Sequence, residues 1–395
     1  MPDRRAYALK IARALIVAVI VVVGGAKAFG VWEARRARTL PAPTGPFAVG
    51  RRSFAWRDTT RADLLAPDPS SVRELFVWVW YPARATPDAV VADYLPPAWL
   101  AAVRRTPRGQ RLDRVHSHSL DGAPAAGDSA YPLLVFSPGL GNMPTNYTAL
   151  LEDVASHGYM VVAVAHPYST TDIVFPDGHI VRDADSRQPL RLNRAVTVLA
   201  ADLISVLDHV AHEHDRGDAF FVHADPQRAG AFGHSFGGAS AAQALANDAR
   251  FRAGVDIDGT IFGPVLRKGV AQPFLMLMAD LDVAQRLISK PKFALISQRD
   301  ARIGEDVFVS HSPRTSWLNI SGWTHMNVAD EGFYYAPQHR LAELFGMRRT
   351  GAETQRIASA YVRAFFERHL KGSESPAHEL DRPSGDGRTW VRRSP

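Results

Sequence analysis

The chain contains no cysteine in 395 residues. That removes a disulfide framework, thiolate metal sites and a cysteine nucleophile at one stroke. It leaves the compartment open, since a large fold does not depend on disulfides. Neither sign of charge is in strong excess: 46 Lys and Arg face 40 Asp and Glu, for a net charge of +6. The positive residues are dispersed, with no dense basic stripe and no nucleic-acid motif, so nucleic acid is not an expected partner and contact with an anionic membrane surface is weakly favoured. No internal repeat is present. Metal-ligand spacing is nearly absent too. His116 and His118 are spaced as ligands could be, but nothing nearby completes a set, and they read as part of a solvated surface loop from His116 to Ala130. No metal and no cofactor is expected.

Long apolar runs are missing from the body of the chain but not from its start. Arg4, Arg5, Lys10 and Arg13 precede the uninterrupted apolar segment Ala14 to Ala26; Lys27 breaks it and Ala28 to Trp32 continue it. A basic stretch before a short apolar core fits a secretory signal, with Ala26-Lys27-Ala28 as an A-x-A cleavage site. The same stretch through Trp32 is long enough for an uncleaved transmembrane anchor, with Lys27 snorkelling to the interface. The anchor is the preferred reading, and either one exports the remainder of the chain. Residues 1–38 are therefore assigned to signal or anchor. Residues 39–50, with Pro41, Pro43 and Pro46, form a proline-rich linker. Residues 51–371 form the folded domain, and 372–395 a polar tail.

Within the domain, Arg52 to Trp56 and Leu75 to Tyr81 read as two antiparallel edge strands. A short helical stretch follows within Asp93 to Arg104. From Tyr131 strands and helices alternate. Leu133 to Phe136 and Tyr159 to Ala165 are buried strands, and Thr145 to His157 is a helix stopped by Gly158. Asp172 to Arg182 turns at Pro176-Asp-Gly178 as a small hairpin. Arg191 to His212 carries Leu192, Val196, Leu199, Leu203, Leu207 and Val210 at helical spacing. Strands follow at Ala229 to Phe232, Phe251 to Asp258, Pro273 to Ala279 and Thr315 to Ile320, and Thr354 to Leu370 is a closing helix. Such alternation implies an α/β fold: a mostly parallel sheet covered by helices on both faces.

One stretch carries the chemistry. Between the strand ending at Phe232 and the small-residue helix from Ala239 to Ala246 lies Gly233-His-Ser-Phe-Gly237, a G-x-S-x-G match in strand-turn-helix context. This is the pattern of the nucleophile elbow in the α/β-hydrolase fold. A serine on a strained turn needs neighbours without Cβ atoms, which Gly233 and Gly237 supply. Ser235 is the expected nucleophile.

The partners follow in the order serine, acid, histidine. Of the downstream histidines, His311, His325, His339, His369 and His378, only His325 sits on a loop leaving the carboxyl end of a strand. It is the expected base. Asp256 and Asp258 share a face of the strand after the elbow helix. Asp258 is at its end, where it can reach a loop histidine, and is the expected acid. Asp256 lies deeper, where a carboxylate needs local partners. Asp282 and Asp330 are less well placed. The oxyanion hole requires two backbone donors. These are expected from Phe236, directly after the nucleophile, and from Leu140 in Ser137-Pro-Gly-Leu-Gly141, where Pro138 has no N–H to give.

Tyr131 to Gly141, Leu151-Glu-Asp-Val-Ala-Ser-His-Gly-Tyr159, Val161 to His166, Gly233 to Gly238, Arg250 to Gly254 and His325-Met-Asn-Val-Ala-Asp330 form an ordered set. Together they resemble the plasma-type platelet-activating-factor acetylhydrolase family over about half of the chain. The resemblance places the family's serine on Ser235, its aspartate on Asp258, its histidine on His325, and its oxyanion donors on Leu140 and Phe236. It implies a metal-independent serine esterase that releases short or oxidised acyl chains from phospholipid-like esters. Pro138 stands where the family often has a histidine, a departure that bears on substrate choice. The alternatives are a general carboxylesterase, a dienelactone-hydrolase-like enzyme or a polyester hydrolase, or a catalytically silent, envelope-anchored binding protein.

Overall fold

Leu75, Val77, Val79 and Tyr81 point to one side of a strand and Phe76, Trp78 and Trp80 to the other, and all seven are buried. A strand that is apolar on both sides belongs in a sheet covered on both faces. The computed structural model has that sheet at its centre. It describes residues 36–68, 70–105, 109–127, 129–182, 189–280, 298–334, 350–373 and 389–391, with isolated positions between 13 and 28. The signal or anchor reading and most of the carboxyl-terminal tail fall outside the described residues.

In chain order the strands are β1 (Arg38–Thr39), β2 (Ala48–Ala62), β3 (Val72–Ala83), β4 (Val91–Asp93), β5 (Val115–Asp121), β6 (Tyr131–Ser137), β7 (Met160–Ala165), β8 (Ile173–Val174), β9 (Ile180–Val181), β10 (Ala224–His234), β11 (Phe251–Ile257), β12 (Phe274–Asp280), β13 (Thr315–Ser321) and β14 (Thr389–Val391). The helices are α1 (Pro97–Val103), α2 (Thr148–Ser156), α3 (Pro189–Asp215), α4 (Phe236–Asn247), α5 (Val265–Lys268), α6 (Gln298–Ser310), α7 (Glu331–Tyr334) and α8 (Gly351–Leu370). The main sheet runs β1-β5-β2-β3-β7-β6-β10-β11-β12-β13-β14, with β4 on β5. From β7 to β13 every neighbouring pair is parallel. The β2–β3 hairpin joins antiparallel through β7.

The helices cover the two faces that the strands prepare. α2 and α8 pack on the side of Trp78, Phe136 and Phe232; α3 and α4 pack on the side of Val77, Val135 and Ala231. All six apolar positions expected on α3, from Leu192 to Val210, are buried. By length and composition α3 could cross a membrane, but 56% of its apolar window is buried inside the fold, so it is a core helix. The Asp172 to Arg182 hairpin is present as β8–β9, with Gly178 at φ 89° in its turn.

Two expectations are corrected. The stretch expected as a loop from His116 to Ala130 is a strand as far as Asp121: β5 pairs parallel with β1 and β2, so the β2–β3 pair is not the sheet's edge. Its inward positions hold Ser117 and Ser119, satisfied by Ala92 O and by the Glu152 carboxylate. The alternation there is of polar side chains with buried partners, which hydrophobicity does not reveal. His118 Nε2 lies 2.8 Å from Leu40 O, a backbone contact rather than a metal-ligand arrangement. Nor do the described residues of the proline-rich segment hang free. Leu40 is buried, Thr44 N–H and hydroxyl both donate to Asp153 Oδ1 at 2.8 Å, and Phe47 N–H donates to Ser156 O at 3.1 Å.

Candidate active site

The elbow is built where β10 gives way to α4. Ser235 holds φ 56° and ψ −124°, a conformation that costs on the order of 1–3 kcal/mol for a residue with a Cβ. Glycines make it possible. A Cβ at Gly233 would lie 2.6 Å from Ser137 O, and one at Gly237 would lie 2.6 Å from Pro138 O and nearer still to Ser137 O. The turn is pinned by Ser235 N–H donating to Ile257 O at 2.9 Å and by Ser235 O accepting from Gly238 N–H at 3.0 Å.

His325 opens the short helical turn that leaves β13, and its side chain is half-exposed. Its Nε2 is 3.0 Å from Ser235 Oγ and its Nδ1 is 2.7 Å from Asp258 Oδ2. Asp258 is the first residue beyond β11, at φ 54°, with its second carboxyl oxygen accepting Ala279 N–H at 2.7 Å. A carboxylate can only accept, so Nδ1 carries the imidazole proton and Nε2 is left to accept from the Ser235 hydroxyl. Partial removal from water pushes the His325 imidazole down, but the bond to Asp258 and its charge more than offset this, and His325 titrates above its ordinary value. Burial pushes Asp258 up, yet the His325 partner and the Ala279 N–H carry it below the usual carboxylate range. The structure thus brings together the three side chains expected from the chain order.

The loop Ser137–Gly141 lies beside the elbow, and its amides are almost fully engaged. Gly139 N–H donates to Tyr147 Oη at 3.1 Å, Gly141 N–H to Ser169 O at 2.8 Å, and Asn142 N–H to Gly139 O at 2.9 Å. Pro138 has none. Leu140 N–H has no acceptor among the described residues, and neither has Phe236 N–H at the start of α4. Two unused donors, flanking the serine from loop and helix, are what a developing oxyanion needs.

The other candidates are elsewhere. Asp330 is buried against the start of α2, where it accepts Thr148 N–H at 2.9 Å and the Tyr94 hydroxyl at 3.0 Å. His311 turns back on Val307 O at the end of α6. His369 packs edge-on against Phe365 on α8. Asp282, His339 and His378 lie outside the described residues. Asp256 has less local partnering than expected: neither of its carboxyl oxygens accepts a hydrogen bond of normal geometry among the described residues, and the Gly259 N–H is the backbone donor that faces it. Burial, then the charges of Asp258 and Glu305, push it well above the ordinary value, which favours its protonated form. Gly238 and Gly259 leave room for it, since a Cβ at either position would strike its Oδ1.

Sequence reasoning missed Tyr147 and His234. The His234 Nδ1 lies 2.8 Å from Tyr147 Oη and its Nε2 lies 2.8 Å from His325 O. His234 is a variable residue of the G-x-S-x-G motif, and Tyr147 carries no signal of its own before the chain folds.

A model of the family described as platelet-activating factor acetylhydrolase, isoform II, matches residues 33–175 and 222–378. The probable 1-alkyl-2-acetylglycerophosphocholine esterase of Arthroderma benhamiae is 27% identical over 260 residues, 60% of this chain and 64% of that protein. The platelet-activating factor acetylhydrolase of Bos taurus is 26% identical over 272 residues, 61% of this chain and 57% of that protein. The matched region spans less than two thirds of the length of either relative. Among solved structures, a ferulic acid esterase from Streptomyces cinnamoneus superposes with a TM-score of 0.71 at 30% identity, covering 90% of this chain and 100% of that one.

Proposed function

Because the chain belongs to the platelet-activating factor acetylhydrolase isoform II family, we propose that it is a serine ester hydrolase working through an acyl-enzyme. The observation that carries this is the unbroken line from Ser235 Oγ through His325, at 3.0 Å and 2.7 Å, to Asp258. Ser235 attacks the acyl carbonyl while His325 Nε2 takes its proton, and the carbonyl electron pair moves onto oxygen. The N–H groups of Leu140 and Phe236 hold that oxyanion. His325 then returns the proton to the leaving alcohol as the C–O bond breaks. A water molecule, deprotonated by His325, attacks the acyl-enzyme, and Ser235 leaves with the proton. Asp258 keeps the imidazole in the working tautomer and stabilises its cation. No step calls for a metal or cofactor.

The substrate within this reading is a phospholipid-like ester with a short or oxidised acyl chain, supported by the names of the curated relatives. A wider esterase is the second reading, favoured by the ferulic acid esterase that matches 90% of the chain. A panel of a 2-acetyl glycerophospholipid, a feruloyl ester and p-nitrophenyl esters of graded acyl length separates the two. A preference of the phospholipid over simple acetates in kcat/KM supports the first; equal rates on all short acetates support the second. Labelling of Ser235 by a fluorophosphonate tests the class as a whole, and no labelling would return the silent binding protein. Export and membrane attachment belong to the proposal as well, motivated by the basic and apolar segment from Arg4 to Trp32. Fractionation with membranes, lost when residues 1–38 are removed, is the expected result; a soluble exported protein beginning near Phe29 would favour cleavage.

A further inference from the structure

A chain of buried polar side chains runs from α3 to the loop that carries Leu140. Asp202 on α3 lies with Oδ2 2.8 Å from His166 Nδ1 and 2.6 Å from Arg73 Nη2, and with Oδ1 3.0 Å from Arg73 Nε and 3.1 Å from Arg61 Nη2. Arg73 continues to Asp63 at 2.9 Å and to Pro167 O at 3.2 Å. At the other end, His166 Nε2 is 2.9 Å from Ser137 Oγ. Ser137, His166, Asp202 and Arg73 are at most 1% exposed. Asp202 can only accept, so Nδ1 of His166 carries the proton and Nε2 accepts from the Ser137 hydroxyl. Burial holds the His166 imidazole below its ordinary value in spite of the Asp202 bond, so it is neutral here. The order hydroxyl, imidazole, carboxylate repeats that of Ser235, His325 and Asp258, but no substrate can reach Ser137.

The position of Ser137 gives the line its meaning. Its backbone oxygen abuts the two elbow glycines, Gly233 and Gly237, where any Cβ would strike it. Its side chain is tied to His166, the first residue beyond β7. The turn after β7 then grips the far end of the same loop: Ser169 O accepts Gly141 N–H at 2.8 Å, and the Thr171 hydroxyl donates to Gly141 O. His166 N–H bonds Thr170 Oγ1 at 2.9 Å, which fixes that turn. Leu140 is thus suspended between two anchors that both lead back to His166. The second donor, Phe236, is registered to the first because Ser137 rests on the elbow.

We propose that Ser137 and His166 are positioning residues of the oxyanion hole, holding the Leu140 amide at its distance from the Phe236 amide through the buried line to Asp202. The proposal rests on the ester-hydrolase reading. The test compares wild type, Ser235→Ala, Ser137→Ala, His166→Asn and the Ser137→Ala/His166→Asn double variant on p-nitrophenyl acetate, well below their melting temperatures. It records kcat, KM and the affinity of a trifluoromethyl ketone, whose adduct with the serine places an oxyanion in the hole. Ser137→Ala is expected to lower kcat and ketone affinity together by roughly 10-fold to 100-fold, with KM unchanged, because a misplaced donor weakens only the transition state. The double variant is expected to fall no further than the worse single one, as members of one unit do. Wild-type kcat and ketone affinity in Ser137→Ala, or a loss shared equally by KM and kcat, would overturn it. If His166→Asn does not fold, Ser137→Ala, which removes one hydroxyl oxygen, still decides. Equal rates in wild type and Ser235→Ala would instead overturn the parent reading and this one with it.

Discussion

The imidazole of His234 stands 2.8 Å from the backbone carbonyl of His325, so the residue before the proposed nucleophile holds the residue proposed as the base. Burial holds His234 down at about 3, and it stays neutral across the working range. Its Nε2–H donates to His325 O, and its Nδ1 accepts from the Tyr147 hydroxyl at 2.8 Å. That hydroxyl in turn accepts Gly139 N–H. One neutral ring therefore links the elbow, the base loop and the oxyanion loop. Each donor and acceptor in the line has its partner, which is the condition for a buried polar network to rigidify a site.

Tyr147→Phe breaks this line at its middle and leaves two orphans, Gly139 N–H and His234 Nδ1. The expected cost is about 1–3 kcal/mol of stability. Turnover on p-nitrophenyl acetate is expected to fall as well, because the oxyanion loop loses a tether one residue before Leu140. Thermal unfolding and steady-state kinetics measured on the same preparation check both effects. Unchanged melting temperature and unchanged kcat would mean that the tyrosine hydroxyl is not a tether.

Ser235→Ala is expected to remove ester hydrolysis by at least ~10³-fold while the fold persists. The alanine keeps a Cβ at φ 56°, so the strain of the elbow remains and only the nucleophile is lost. Intact mass after fluorophosphonate treatment gives a second readout: wild type gains one adduct and the variant none. A variant that kept a tenth of wild-type activity would place the nucleophile elsewhere.

The pH profile follows from His325. The base must be neutral to accept the Ser235 proton, so kcat/KM falls as pH drops through the His325 value in the free enzyme. Asp258 raises that value above the ordinary histidine range, so the acid limb is expected above ~6.5. Loss of the Asp258 charge should move it down. A limb that stays put in Asp258→Asn would mean that the carboxylate does not govern the imidazole.

The triad candidates were legible because three local rules intersect: Ser235 lies between glycines at a strand-to-helix turn, and Asp258 and His325 each follow the end of an apolar strand. Position relative to a strand end is a property that sequence periodicity carries. Tyr147, His166 and Asp202 had no such mark. Their partners lie 87, 29 and 36 residues away, and a tyrosine in a helical turn or an aspartate on α3 reads as ordinary until the fold closes. β5 was hidden for a different reason. Val115–Asp121 buries serines that satisfy Glu152 and Ala92 O, so its inward face is polar and period-two hydrophobicity is lost. The family resemblance covered the same motifs and so could not reveal β5, which lies outside them.

Asp256 and Asp258 offer the sharpest comparison, since two residues of one chain segment stand in opposite states. Asp258 is a carboxylate held by His325 and Ala279 N–H; Asp256 is enclosed by Gly238 and Gly259, where burial favours its protonated form. Asp258→Asn keeps the shape but favours the wrong tautomer of His325, and turnover is expected to fall by ~10⁴-fold if serine-protease behaviour carries over. Asp256→Asn replaces a protonated carboxyl by a group of the same size, and turnover is expected to survive. Its effect is on stability, and the sign follows from linkage. A carboxyl whose folded value is raised binds its proton more tightly in the folded state, so its contribution is fully present below the unfolded value of ~3.9 and is lost as pH rises towards the folded one. Wild type should therefore lose stability over that rise, and the asparagine variant should lose less. The melting temperature of Asp256→Asn relative to wild type is expected to climb as pH is raised from about 4. Melting curves over that range, with turnover measured at each pH, make the test. A relative melting temperature independent of pH would show that Asp256 is not held neutral, and lost turnover in Asp256→Asn with activity retained in Asp258→Asn would exchange the two assignments.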